Sequence, residues 1–341
     1  MGDRADDLVR NALAAADSEA TTAEERADML VEIAVGLQQR PKSPDQVLAA
    51  IQLYDRALDL CASADDLTRG RIVARKATAL QILPGEEFEK LVEAREHLET
   101  ALLLMKDRGT PEEIAEAEMN LGLCIQTLAG AHRAKITDAI SAYQRSLRTF
   151  DKAAFPKEFA ILQNNLATAF LSIPFTDQRA RMREALAVQA FEEGLKVVNL
   201  IDHPTEYAML QNNLGNALQY ASSSHTVENN LRALDAYEEA LKVRGRDNMP
   251  TEYANTISNL ANCLLNLPDD PAQPETGNFA NLRRARSYYR EAREIFSSSG
   301  ENDKARIVGE AVEQIERELM GASDNALGRS DGLANDNYTI N

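Results

Sequence analysis

Amide side chains are the groups in this sequence whose type and spacing suggest chemistry, and that chemistry is hydrogen bonding rather than bond making. An Asn-Leu pair returns four times, as Asn120-Leu121, Asn165-Leu166, Asn213-Leu214 and Asn259-Leu260, at intervals of 45, 48 and 46 residues. Further amides travel with it: Gln126, Asn164, Asn212, Asn216, Gln219 and Asn262. On a helix turning about 100° per residue, with Asn213 as origin, Asn216 lies near 300°, Asn212 near 260° and Gln219 near 240°. Leu210, Leu214 and Leu218 fall between about 60° and 140°, so amides and leucines occupy opposite faces. A primary amide donates and accepts at once, and a ladder of them can pair with an extended peptide backbone whatever its side chains. Each bond contributes ~0.5–1.5 kcal/mol net, so four give a few kcal/mol and micromolar affinity is expected. The competing expectation is that these amides are solvated or bridge neighbouring helices.

Bond-making chemistry has no comparable candidate. The sequence contains no phosphate loop, dinucleotide fingerprint or His-Glu zinc motif, and His97, His132, His203 and His225 match no metal spacing. The expectation is a protein that is not an enzyme and carries no cofactor, metal or catalytic residue. A net charge of -17 argues against a nucleic-acid or anionic-membrane partner, because phosphate binding needs a local excess of Lys and Arg. No apolar run is long enough to span a membrane, and the acidic opening Met1-Gly2-Asp3-Arg4-Ala5-Asp6-Asp7 has no secretory core. Three scattered cysteines, Cys61, Cys124 and Cys263, fit a reducing cytoplasm better than a disulfide framework. Cys124 and Cys263 stand where Ala169 and Ala217 stand in other copies of the unit, so burial and inertness are expected.

The elements that must position the amides form an all-α chain. A second register runs through six copies: Ala50/Tyr54/Ala57, Ala94/Leu98/Ala101, Ala139/Tyr143/Ser146, Ala187/Phe191/Gly194, Ala233/Tyr237/Ala240 and Ala285/Tyr289/Ala292. Small residues at helical spacing let helices approach closely while the aromatic fills the gap, so these aromatics are expected in the core. Pro111, Pro156, Pro204 and Pro250, each with a Glu two residues later, mark helix starts, since proline lacks the amide hydrogen that would be unpartnered there. Abundant Ala, Leu, Glu and Arg favour helix, and sustained Val/Ile/Thr alternation is missing.

The frame predicts an α-solenoid over residues 1–321, with repeats at about 23–64, 65–110, 111–155, 156–203, 204–249 and 250–299. A lead-in helix is expected over 3–16, and a capping helix over 301–320 with Ala305, Val308, Val312, Ile315 and Leu319 on one stripe. Residues 322–341 carry little apolar material and are expected to be a disordered tail. The three prolines of Leu267–Pro274 suggest a stiff projection, either a contact element or a tolerated insertion.

Gln163-Asn164-Asn165-Leu166-Ala167 and Gln211-Asn212-Asn213-Leu214-Gly215, followed by Ala233-Leu234-Asp235-Ala236-Tyr237-Glu238-Glu239-Ala240-Leu241, resemble tetratricopeptide (TPR) repeats. The likeness is to the long-unit variety of kinesin light chains and of bacterial arrays that accompany CHAT protease-like domains, and it covers roughly residues 23–300. It implies a right-handed superhelix of antiparallel helix pairs whose concave face binds peptides or partner proteins, here as a scaffold, adaptor or assembly chaperone. A sensor or regulatory module controlling a partner enzyme such as a protease or kinase is the other role it allows, and a homodimer is compatible with it. Departures are plain: Gln163 and Gln211 replace the usual aromatic, the unit is about a dozen residues longer than the familiar 34, and no CHAT domain is present. In the second unit Arg75 and Lys76 stand where Asn and Leu stand elsewhere, so either its concave surface differs or its register is not that of the other units.

Overall fold

A computed structural model of the chain describes residues 9–14, 22–62, 65–83, 88–174, 178–222 and 225–333. Among them are fourteen α-helices, one 3-10 turn (Pro274–Thr276) and no strand. After α1 (residues 9–14) come α2 (Ala23–Gln39), α3 (Pro44–Leu60), α4 (Asp66–Gln81), α5 (Phe88–Met105), α6 (Pro111–Gly130), α7 (Ile136–Ser146) and α8 (Pro156–Leu171). They continue as α9 (Gln178–Leu195), α10 (Pro204–Gln219), α11 (Thr226–Leu241), α12 (Pro250–Leu265), α13 (Phe279–Ser298) and α14 (Asn302–Leu333). Two compact units result, Met1–Ile173 and Pro174–Asn341.

In the first unit α2 packs on α3, α4 on α5 and α6 on α7, and the leading helix of each pair also touches the next leading helix. In the second unit α10 packs on α11, α12 on α13, and α14 closes on α13. This is the alternating helix-pair architecture of an α-solenoid. The prolines open α6, α8, α10 and α12 as expected. Thr110 adds a capping box with Glu113, whose backbone N–H donates to Thr110 Oγ1 at 3.2 Å while its carboxylate accepts from Thr110 N at 2.9 Å.

The aromatic and small residues of the second helices form the core. Tyr54, Tyr143, Phe191 and Tyr237 are fully enclosed, as are Ala50, Ala94, Ala139, Ala187, Ala233 and Ala285. Close approach is tightest where the leading helix carries glycine: a Cβ at Gly122 would lie 2.5 Å from the Tyr143 ring, and one at Gly215 would lie 2.6 Å from Tyr237. The rings therefore pack against bare backbone of the preceding helix.

One boundary, the end of α14, differs from the sequence expectation. Helices α7 and α9 end at Ser146 and Leu195, and side chains shape the turns that follow them. Asp151 Oδ1 accepts from the N–H groups of Ala153 and Ala154, and Asn199 Oδ1 does the same for Ile201 and Asp202. Helix α14 runs to Leu333, past Met320, since a formed helix propagates cheaply and no proline intervenes. Of the tail 322–341, residues 322–333 are thus helical and 334–341 lie outside the described residues, as do residues 3–8 of the lead-in.

The proline-rich loop is not a free projection. Asp269 accepts from the N–H groups of Ala280 and Asn281, both at 2.8 Å, and so caps α13. Asn281, itself buried, returns two bonds to the carbonyls of Leu267 and Pro268 at 3.1 and 3.0 Å. The insertion is held to the helix it precedes by a reciprocal cap.

Replacing Gly215 by Ala should lower the stability by ~1–3 kcal/mol, because the new methyl overlaps the Tyr237 ring. At Gly36, exposed and with nothing within 4 Å of a built Cβ, the same change should raise it by ~0.5–1 kcal/mol. Urea midpoints of the two variants, moving in opposite directions, check the packing.

Candidate functional site

Much of the amide ladder turns inward to its own repeats. Gln126 Oε1 accepts from the Tyr143 hydroxyl at 2.8 Å while its Nε2 donates to Thr168 Oγ1 at 3.0 Å. The Tyr237 hydroxyl donates toward Asn216 Oδ1 at 2.8 Å and Gln219 Oε1 at 2.9 Å. A third copy, which sequence reasoning missed, joins Tyr54 to Gln38 Oε1 at 2.8 Å and Gln38 Nε2 to Thr78 Oγ1 at 2.7 Å. Each of these three buried phenols thus finds an acceptor on the leading helix of its pair, and two of the three glutamines then reach the next pair. Burial pushes the Tyr54 hydroxyl up to about 12, and Tyr143 and Tyr237 also rise for the same reason. They are neutral donors.

The clamp is not uniform along the repeat, since at the position of Gln126 and Gln219 the sixth unit has Leu265 opposite Tyr289. Where the second helix carries Leu98 or Phe191, neither of which has a hydroxyl, Gln81 donates instead to the Asn120 carbonyl at 2.8 Å, and the matching position of the fourth repeat is Leu171.

The remaining amides fall into small groups. Buried Asn164 donates to Asn165 Oδ1 at 3.3 Å, and buried Asn212 donates to Asn213 Oδ1 at 3.1 Å. Asn212 Oδ1 in turn accepts from Thr256 Oγ1 at 3.1 Å and Asn259 Nδ2 at 3.5 Å, so Asn212, Asn213 and Asn259 form one network across α10 and α12. Asn262 donates to the Tyr220 hydroxyl at 2.7 Å. Asn120, Asn165, Asn213 and Asn259 are each half-buried, whereas Asn164 and Asn212 lie beneath them.

Asn120 lines an open cleft of about 210 Å³ between α4 and α6, together with Arg71, Arg75, Thr78 and Glu113. Arg71 Nε donates to Glu113 at 2.6 Å, which holds that carboxyl below its ordinary range. Arg75 is exposed beside it. The cleft is therefore lined by an amide, a hydroxyl, two guanidinium groups and the carboxylates of Glu113 and Glu116.

Lys76 confirms the register of the second repeat by taking the buried site that leucine fills elsewhere. Only 9% of it is exposed, and its ammonium is 2.7 Å from Asp55 on α3 and 3.6 Å from Glu93 on α5. Two carboxylates at the rim let a cation occupy an apolar position. His97 stands beside Glu93 at 3.7 Å, and burial followed by the Lys76 charge hold its pKa below the ordinary value.

The cysteines are structural. Cys124 and Cys263 each donate to a backbone carbonyl thirty-three residues earlier, Leu91 and Asn230, at 3.0 Å. Burial raises both thiols, Cys263 to about 12, so neither is a nucleophile. No group of three His, Cys, Asp or Glu side chains converges as a metal set among the described residues, and none of the described helices is long and apolar enough to cross a membrane.

Paired helices stacked in one shared register make this an α-helical repeat protein of solenoid architecture. No protein-family model matches the chain, and no curated protein sequence matches it. Among solved structures, it is similar to the TPR2AB domain of yeast Sti1 in a pHSP90 complex, at 17% identity over 86% of this chain and 99% of the other, with a TM-score of 0.30. A Rap protein complexed with Competence and Sporulation Factor aligns at 12% identity over 87% and 82%, with a TM-score of 0.40. The P58(IPK) TPR domain aligns at 15% identity over 94% and 99%, with a TM-score of 0.22.

Two measurements check these contacts. Tyr143→Phe should cost ~0.5–1.5 kcal/mol, and a double-mutant cycle with Gln126→Leu should return a coupling of about 1 kcal/mol in urea unfolding. For His97 the folded state favours the neutral ring, while the unfolded chain takes up a proton near the usual value of ~6.5. Its contribution to stability is therefore full above that pH and declines as pH falls through it. His97→Gln should flatten the difference in urea midpoint between pH 7.5 and 5.5.

Proposed function

We propose that the chain is a protein-binding scaffold, an adaptor or assembly chaperone, that holds an extended segment of a partner protein against the leading-helix face. The recurrence of half-buried asparagine at one register, in Asn120, Asn165, Asn213 and Asn259, is the observation that carries this reading. The Tyr-linked amides Gln126, Asn216 and Gln219 support that face from within, and Asn164 and Asn212 orient their exposed neighbours. Asn262 extends the face where it meets Tyr220. The partner is a protein or peptide, met in a reducing compartment such as the cytoplasm.

A sensor that controls a partner enzyme such as a protease or kinase is the second reading. It draws on the repeat-to-repeat links Gln38–Thr78, Gln81–Asn120 and Gln126–Thr168, which are single hydrogen bonds between successive leading helices and allow small rotations to accumulate.

The test uses a partner captured by crosslinking in the native host, then titrated as a purified protein. Asn120→Ala, Asn165→Ala and Asn259→Ala together should weaken binding ~10-fold or more with helicity unchanged. As control, Thr110→Ala, which removes the capping box at the start of α6, should lower stability and leave affinity intact. Undiminished affinity in the triple variant would remove the amide face as the recognition surface.

A further inference from the structure

Helix α13 departs from the charge of the rest of the molecule. In a chain of net charge -17 it carries five arginines against two glutamates, and no acidic residue in its first turn. Arg283, Arg286 and Arg290, spaced by three and four, share one face and line an open cleft of about 550 Å³. Phe279 forms one apolar edge of that cleft and Met320 of α14 the other, 43% and 67% exposed. Arg290 is ion-paired with Glu316 across the cleft. Arg283, exposed, and Arg286, half-buried, meet no carboxylate among the described residues.

Packing does not require Arg283 and Arg286 here. The buried side of α13 is made by Leu282, Ala285, Tyr289, Ala292, Ile295 and Phe296, while Arg283 is exposed and Arg286 half-buried.

We infer that the α13–α14 cleft docks a short acidic segment of a partner protein, with carboxylates on Arg283 and Arg286 and an apolar side chain between Phe279 and Met320. Charge complementarity selects the occupant. A guanidinium presents a planar fork that a carboxylate meets with two parallel bonds, and two such forks one helical turn apart match acidic residues flanking a single apolar one. From Arg283 to Arg290 the stripe spans ~10 Å, about three extended residues. A nucleic acid fits less well: its charge continues beyond so small a patch, into a surface that is acidic overall and carries Glu316 on the rim. The inference is independent of the amide face, whose residues lie on other helices.

The probe is a fluorescein-labelled synthetic peptide, Gly-Ser-Asp-Glu-Leu-Glu-Asp-Ser-Gly, titrated with the full chain by anisotropy. Binding is expected near the micromolar range, weakening as salt rises from 50 to 500 mM and falling at least ~10-fold for Arg283→Gln/Arg286→Gln. A peptide with Asn and Gln in place of its acids should lose affinity equally, which tests the same contact without altering the protein. Asn120→Ala/Asn165→Ala/Asn259→Ala should leave this binding unchanged, so failure of one site is distinguishable from failure of the other. Absence of binding, equal binding by the arginine variant or the amide peptide, or tighter binding of a single-stranded oligonucleotide would overturn the proposal. Concentration-dependent self-association that the arginine variant abolishes would also overturn it, by making a second copy of the chain the occupant.

Discussion

The repeats depend on one contact, in which a tyrosine of the second helix enters the first helix of its own pair. The ring sets how near the two helices lie, because Gly122 and Gly215 leave no room for even a methyl group beside Tyr143 and Tyr237. The hydroxyl then sets what the neighbouring turn must carry. A buried phenol without an acceptor costs more than the bond gains, so Gln126 and Gln219 stand four residues after those glycines. Gln126 has a second end, and by donating to Thr168 it transmits the position of one pair to the next. A packing contact thereby becomes a register device.

This division of labour explains why amides are so frequent on the leading helices. Gln38, Gln126, Asn216 and Gln219 answer an internal demand, whereas Asn120, Asn165, Asn213 and Asn259 are half-buried and placed by neighbours underneath. The two groups occupy one face, so periodicity alone assigns them together. What separates them is the partner residue forty or forty-two positions away in sequence, or sixteen to twenty-one away in the companion helix.

The elements were legible in sequence because they rest on local rules. Proline at four helix starts, alanine followed by an aromatic or leucine in six second helices, and leucine at i and i+4 on the later leading helices all hold in the structure. What escaped were side chains whose roles are set by tertiary partners. Asp269 looks like one more loop acid until it caps α13, and Lys76 reads as an error of register until Asp55 and Glu93 are seen beside it. Asp151 and Asn199 belong to the same class, since each shapes a turn between helices by accepting from the residues that follow it.

Departures from the repeat therefore carry more information about recognition than the repeat itself. Positions that recur answer to stacking, which every pair must satisfy alike, and a ligand that read only those would meet the same surface several times over. A departure is tolerated where neighbouring residues absorb its cost, as two carboxylates do for Lys76. Arg75, next to it, replaces the asparagine of the other repeats and brings a cation to the cleft that Asn120 lines. The arginines of α13 are the larger departure: of those lining the cleft, Arg290 meets a carboxylate, whereas Arg283 and Arg286 meet none among the described residues. An uncompensated cost in an otherwise self-consistent fold is where an external partner has the most to contribute.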